Sequence, residues 1–177
     1  MTAAMVDDGQ RALVHTPAGM APVAVEQANA LLRRWGHYLG PCQRPFGAEG
    51  WVLEVDGMPV AVAISASTVS ATVAGLPRGR VVELARLCSH PGQRWATRPM
   101  LRLWREVAAP RWRYWPVVAA VAYSQSRRHA GELYRWDGWT LVTDSAGSSG
   151  GGTWSTSRDS DHVALGAKRL WIWRYDR

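Results

Sequence analysis

The sequence predicts an α/β domain with a mixed sheet, and three features carry that prediction. Stretches 25–35 and 100–108 repeat apolar residues at three and four, the period of an amphipathic helix. Residues 50–66 hold two strand-like runs around Asp56-Gly57, a strong tight-turn signal. Pro116–Tyr123 (PVVAAVAY) is continuously apolar, as expected of a strand covered on both faces. Both ends are too rich in strands for a doubly wound fold.

In chain order, residues 1–22 mix Ala, Gly, Pro and acids without a period and read as an irregular N-terminal arm. The remainder, 23–177, reads as a single domain. Val25, Ala28, Leu31, Leu32 and Trp35 make the stripe of the first helix, which Gly36 ends. A loop with His37, Tyr38, Pro41 and Pro45 follows. Trp51–Val55 and Met58–Ser65 form the hairpin, and Ser67–Pro77 is a small-residue connection. Val81–Cys88 is the next strand. Met100, Leu103, Trp104, Val107 and Ala108 line the second helix, and Pro110 stops it. After the buried strand come a short helix at Ala130–Trp136, a break at Gly138 and a strand at Trp139–Thr143. Residues 144–160 are rich in Gly and Ser and read as a flexible loop. Lys168–Tyr175 alternates basic or polar with large apolar residues and closes the chain as a strand.

The chain has 177 residues, 47% apolar and 20% charged, an ordinary balance for a globular protein and too apolar for a disordered one. The net charge of +7 favours an anionic partner. All but one of the basic residues are arginine, Lys168 being the exception; a GC-rich genome explains that skew without any function. Cys42 and Cys88 show no metal spacing and cannot build a disulfide framework. His37, His129, Glu83 and Asp144 could assemble a metal site but show no ligand spacing, so no metal ligand is assigned and metal dependence stays open. The N-terminus lacks a secretory pattern and no run has the roughly 18 apolar residues of a span, so the expectation is a cytoplasmic protein with no membrane partner.

The run from Arg94 to Arg113 holds six arginines against the single acid Glu106 and could track a phosphate backbone. Trp112, Tyr114 and Trp115 interleave with it. Arg111, Arg113, Arg127, Arg128 and His129 are the candidate nucleic-acid contacts. A base modified inside a duplex must be flipped out, and Trp95, Trp136, Trp139 and Trp154 are candidates for its pocket. Cys88 reads as a small buried thiol rather than a nucleophile.

The order of elements resembles that of the acyl-CoA N-acyltransferases of the GNAT superfamily. Their pyrophosphate loop reads Gln/Arg-x-x-Gly-x-Gly/Ala, and the nearest stretch here is Gln93-Arg94-Trp95-Ala96-Thr97-Arg98, with Ala96 and Arg98 in place of the glycines. Four blocks also resemble the phage Mom family of DNA adenine-modifying proteins: Gly36-His37-Tyr38, Val82-Glu83-Leu84-Ala85-Arg86-Leu87, Ser126–Trp139 and Lys168–Trp173. Ser124 stands where that family has an Asp.

These resemblances imply a mixed, mostly antiparallel central sheet flanked by helices. They imply an acetyl-CoA or related acyl-CoA site built from Leu87, Cys88, Arg94, Trp95, Ala96, Thr97, Arg98 and Pro99. Leu87 and Cys88 would offer backbone groups where strand pairing breaks, and Arg94 and Arg98 would reach the phosphates. His37, Tyr38, Glu83, Ser124 and Tyr134 are the implied catalytic set, with Tyr134 as general acid and Glu83 as a base through water. The implied activity is transfer of a carbamoylmethyl- or acetamido-type group to an exocyclic amine of double-stranded DNA, in a phage or prophage setting, with a homodimer possible. The alternatives are a GNAT acetyltransferase acting on a small-molecule or protein amine, and a catalytically idle DNA-binding module.

Overall fold

The computed structural model describes residues 17–44, 46–125, 130–144, 146 and 168–175. Nine strands and three α-helices are assigned within them. Strands β1 (Ala18–Val23), β2 (Ala48–Val55), β3 (Met58–Ala66), β6 (Val81–Ser89), β7 (Ala119–Gln125), β8 (Thr140–Thr143) and β9 (Lys168–Arg174) form one sheet in the order β1-β2-β3-β6-β7-β9-β8. Every neighbouring pair is antiparallel except β6 and β7. The expected mixed, mostly antiparallel sheet is therefore present. β4 (Thr72–Val73) and β5 (Leu76–Pro77) form a small separate hairpin inside the connection that had no predicted form.

One departure lies at the start. Residues 18–22, read as part of an irregular arm, belong to β1, which pairs with β2 from Ala18↔Val55 to Val23↔Gly50. The strand is mostly exposed, so it lacks the alternation that would announce it. Pro22 is tolerated because β1 is the sheet's edge. The β2–β3 turn is as expected, with Asp56 and Gly57 both at positive φ, the geometry of a type I′ turn.

Helices cover both faces. On one face, α1 (Val25–Arg34) buries Ala28 and Leu32 against Val62, Ile64 and Ala85. On the other, α2 (Thr97–Leu103) runs into a π-helical turn at Trp104–Ala108 and a final 3-10 turn at Ala109–Arg111. This helical run buries Met100, Leu101 and Trp104 against Ala61, Ala63, Val82 and Leu84. The Trp104 indole donates to Ser65 Oγ at 2.8 Å, so the largest side chain of this interface also fixes the helix's register. Pro110 sits inside the last turn rather than just after it, and Trp112 marks the end. Helix α3 (Glu132–Trp136) is one short turn beyond β7.

Candidate functional site

The geometry of the site begins with β6. It pairs with β7 only from Val81↔Ala119 to Leu84↔Ala122. Beyond that point β6 stays with β3 as far as Ala61↔Ser89, and β7 stays with β9 as far as Gln125↔Lys168. The two central strands therefore part company, and residues 85–89 face a strand that is no longer their partner. A bulge lies where they part: Ile64 is opposite Arg86 and Ser65 opposite Leu84, leaving Ala85 as the extra residue. Such an insertion bends a strand and increases its twist. Leu87 and Cys88, the expected backbone contributors, lie in this splayed segment. The Cys88 thiol packs toward the α1 face, and burial pushes its pKa up, which argues against a reactive thiolate.

The bulge has a second consequence. On a regular strand, residues three apart point to opposite faces, yet Arg86 works on the same side as Glu83. The Arg86 guanidinium donates to the carbonyls of Leu39, Gly40 and Pro41, and to that of Ala85. It thus clamps the loop that carries His37 and Tyr38, whose rings stack with centroids 5.0 Å apart. Glu83 is buried and takes a hydrogen bond from Arg44 Nη2 at 2.5 Å. Glu83, expected as a base through water, is thus ion-paired with Arg44, a residue the sequence did not single out. Burial raises the Glu83 carboxyl above the usual carboxylate range, against the opposing pull of Arg44, Arg86 and Lys168.

Tyr134 stands on α3 with its ring stacked on Trp171 at 5.8 Å and edge-on to Trp139 at 5.4 Å. Burial, reinforced by nearby Tyr38 and Glu83, drives its phenol pKa well above the ordinary value. The three groups are therefore within electrostatic reach of one another. Ser124 is buried behind this arrangement, its Oγ accepting the Trp171 indole N–H at 2.9 Å. Ser124 thus braces Trp171 and does not itself open to the cleft. Gly131, at φ +79, is what lets the chain enter α3: a Cβ there would sit 2.3 Å from Trp171 Cζ2.

The turn between β6 and α2 holds the remaining expected donor-site residues. The 3-10 turn Arg94–Ala96 leads into α2, and Thr97 Oγ1 bonds Ser89 Oγ at 2.8 Å, tying the helix start to the strand end. Ala96 is fully buried and its N–H bonds Gln93 O. The Trp95 ring is exposed and its indole donates to Gln93. Arg94, Arg98 and Pro99 border this helix start, next to the splayed end of β6.

The basic run does not form one face. Arg105 is buried, bonded to Asp137 Oδ2 at 2.6 Å and laid over the Trp173 ring at 3.8 Å. Arg102 lies 3.7 Å from the same carboxylate. Arg113 pairs with Glu49 at 3.3 Å. Arg111 and Arg113 line a groove of about 570 Å³ with Pro22–Glu26 and Ala48–Trp51. They are separated from Arg98 by the helical run, roughly 20 Å at 1.5 Å per residue. The even sequence spacing of these arginines concealed that one is core and the others point to different places. Trp139 is likewise core, stacked near Trp104, whereas Trp136 is exposed. Arg127, Arg128, His129 and Trp154, with most of the Gly/Ser-rich loop, lie outside the described residues.

Arg44, Arg86 and Lys168 were not among the expected site residues. Arg44 sits in a loop without periodicity, and only the bulge makes Arg86 a neighbour of Glu83. Both cysteines are free thiols. Among the described residues no group of three or more His, Cys, Asp or Glu could hold a metal ion, and no helix is long and apolar enough to cross a membrane.

The fold defined by this sheet, its splayed central pair and the helix after β6 is that of the GNAT acetyltransferases. Among solved structures, the chain is similar to a protein of Salmonella typhimurium assigned as an acetyltransferase and solved with acetyl-CoA, at 16% identity, 90% and 94% coverage of the two chains and a TM-score of 0.58. It is similar to an IAA acetyltransferase of Bacillus cereus, at 11% identity, 90% and 100% coverage and a TM-score of 0.55. A GNAT family acetyltransferase of Elizabethkingia anophelis with acetyl-CoA bound matches at 7% identity, 89% and 98% coverage and a TM-score of 0.50. No family model matches the sequence, and no curated protein matches it. Nothing in these comparisons supports the phage Mom resemblance.

Proposed function

We propose that this protein is an acyl-CoA-dependent N-acyltransferase of the GNAT kind that acts on a small-molecule or protein amine. The observation that carries this reading is the parting of β6 and β7 after Leu84, at the Ala85 bulge, with Tyr134 within electrostatic reach of Tyr38 and Glu83. The residues present fit an acyl-CoA: over 85–89, among the described residues, β6 keeps β3 on one side but has no strand paired on the side of β7, and two arginines border the start of the helix that follows it.

When bound, acyl-CoA would supply an activated thioester. The backbone N–H of Leu87, which points to the open side of β6 because the N–H groups two residues apart at Cys88 and His90 turn toward β3, would then donate to the acyl oxygen, a contact typically worth about 3 kcal/mol. Tyr134, whose raised pKa keeps its proton at neutral pH, would donate that proton to the departing sulfur. Glu83 would accept the acceptor's proton through water, its carboxyl raised by burial. Arg94 and Arg98 would hold phosphate oxygens by charge-assisted hydrogen bonds.

The test is a coupled thiol-release assay with acetyl-CoA and a panel of amines. Amine-dependent thiol release is expected, and its absence across the panel sinks the reading. The DNA-modifying reading gains nothing from the arginines, since those of the long run are scattered between core and separate surfaces. Mass spectrometry of nucleosides from an expressing host's plasmid is expected to find only canonical ones; a modified adenosine would reverse this judgement.

A further inference from the structure

The groove bordered by Arg111 and Arg113 lies at the far end of the helical run from Arg98, on the β1–β2 edge of the sheet, with β3 between that edge and β6. Its volume of about 570 Å³ is in the range of small-molecule sites. Glu49 and Trp51 both line it. They stand two residues apart on β2 and so share a face of the strand, where Trp51 packs against the core that holds Trp104 and Trp112. Each of the two keeps a buried polar atom with no hydrogen-bond partner among the described residues: Oε2 of Glu49 and Nε1 of Trp51. Such groups are rare in folded proteins, because burying them unpaired is costly.

Arg113 does not use up the Glu49 carboxylate. Only Oε1 faces it, 3.3 Å from Arg113 Nε and accepting the Arg113 backbone N–H at 3.4 Å. Burial raises the Glu49 carboxyl in spite of Arg113, so a further cation at Oε2 would be stabilising. Glu49 therefore lacks a donor and Trp51 lacks an acceptor. Arg111, exposed at the mouth, makes no side-chain hydrogen bond or ion pair among the described residues. Glu26 is the fourth charged residue of the lining. Two carboxylates and two guanidiniums cancel, so the groove suits a dipolar ligand better than an ion of one sign.

We propose that this groove binds a free α-amino acid, with its ammonium on Glu49 Oε2, its carboxylate on the Trp51 indole N–H and the Arg111 guanidinium, and an apolar side chain against Pro22, Val23 and Val25. Two positions along a strand are about 7 Å apart. An ammonium and a carboxylate on one Cα span that distance with a hydrogen bond of about 2.9 Å at each end. Polyamines bring nothing for the indole N–H or Arg111, and phosphate brings nothing for Glu49. The site is separate from the splayed end of β6 and does not rest on the acyltransferase reading.

The experiment titrates the full set of proteinogenic L-amino acids, one at a time, into the nitrogen-15-labelled protein and follows its indole N–H signals, that of Trp51 being identified by its loss in Trp51→Phe. At least one apolar amino acid is expected to shift the Trp51 signal saturably, with a Kd of about 1 mM or tighter. Its N-acetyl derivative and its primary amide each lose one charge-assisted contact and are expected to bind about tenfold more weakly. Glu49→Gln and the exposed Arg111→Ala are expected to weaken binding by a similar factor, with Arg111→Ala leaving the melting temperature unchanged. The inference is overturned if no amino acid moves the Trp51 signal, or if the derivatives bind as well as the parent. It is also overturned if Arg111→Ala keeps full affinity, or if only the signals of Trp139 and Trp171 respond, which would put the amino acid beside Tyr134 instead. Thiol release with acetyl-CoA bears on the acyltransferase reading alone.

Discussion

Substituting Gly131 by alanine tests how the fold positions Tyr134. Two costs are expected. The residue sits at φ +79, where a side chain adds about 1–2 kcal/mol. Its Cβ would also lie 2.3 Å from Trp171 Cζ2 and 2.7 Å from Cε2, and Trp171 cannot yield freely. One side of that indole stacks on Tyr134, and its N–H is held by Ser124. Forced repacking of this kind costs about 1–3 kcal/mol, so the sum is about 2–5 kcal/mol. At roughly 2–4 °C per kcal/mol for a domain of this size, the melting temperature falls by about 4–20 °C. Gly138→Ala is the control. It has φ +88, but its nearest neighbour, Trp173 Cζ3, is 3.4 Å away, so only the backbone cost of about 1–2 kcal/mol applies. Urea denaturation of both variants, followed by near-ultraviolet circular dichroism of the tryptophans, gives the comparison. If Gly131→Ala is no less stable than Gly138→Ala, Trp171 does not occupy the position on which the Tyr134 site depends.

Tyr134→Phe is expected to lower kcat about a hundredfold, the lower range for loss of a general acid, while the Kd for acetyl-CoA stays within twofold by calorimetry. Arg98→Ala is expected to weaken acetyl-CoA about tenfold with unchanged thermal stability, as for loss of one charge-assisted bond at an exposed helix start; unchanged affinity removes Arg98 from the site. Alkaline stability tests the buried face. Burial and Glu83 push the Tyr123 phenol up to about 12, so between pH 10 and 12 the folded protein holds a proton that the unfolded chain releases, and stability falls as pH rises, by about 3 kcal/mol in full. Tyr123→Phe is expected to lose less stability between pH 9 and 11 than the parent, measured by urea titration; parallel curves would contradict the assignment.

The helical stripes and the Asp56-Gly57 turn were legible in the sequence because each is set by local pattern. α1, the β2–β3 hairpin and β6 lie within a few residues of their expected bounds. β1 was not legible, since an exposed edge strand carries no alternation and Pro22 reads as a breaker. The π-helical turn was hidden in the same way: the apolar stripe is satisfied by α or π spacing, and the fully buried Trp104 and Ala108 decide it only through packing. Of the expected site residues, Tyr134, Tyr38 and Glu83 lie within electrostatic reach of one another. Arg44 and Arg86 were missed because their roles arise from a one-residue bulge and a loop carbonyl cluster, neither of which has a sequence period. The arginine run misled for the converse reason. Sequence proximity along a helix says nothing about which residue turns inward, and Arg105 is held there by Asp137 and Trp173.

The central claim is that the splayed end of β6 receives the acyl donor. Hydrogen exchange with and without acetyl-CoA addresses it most directly. Amides over 85–89 and at the start of α2 are expected to slow on binding, while those of the paired segment 81–84 and of the Arg111–Arg113 region are unchanged. Acetyl-CoA that leaves 85–89 unprotected, or protects only the region around Arg111 and Arg113, would contradict the account.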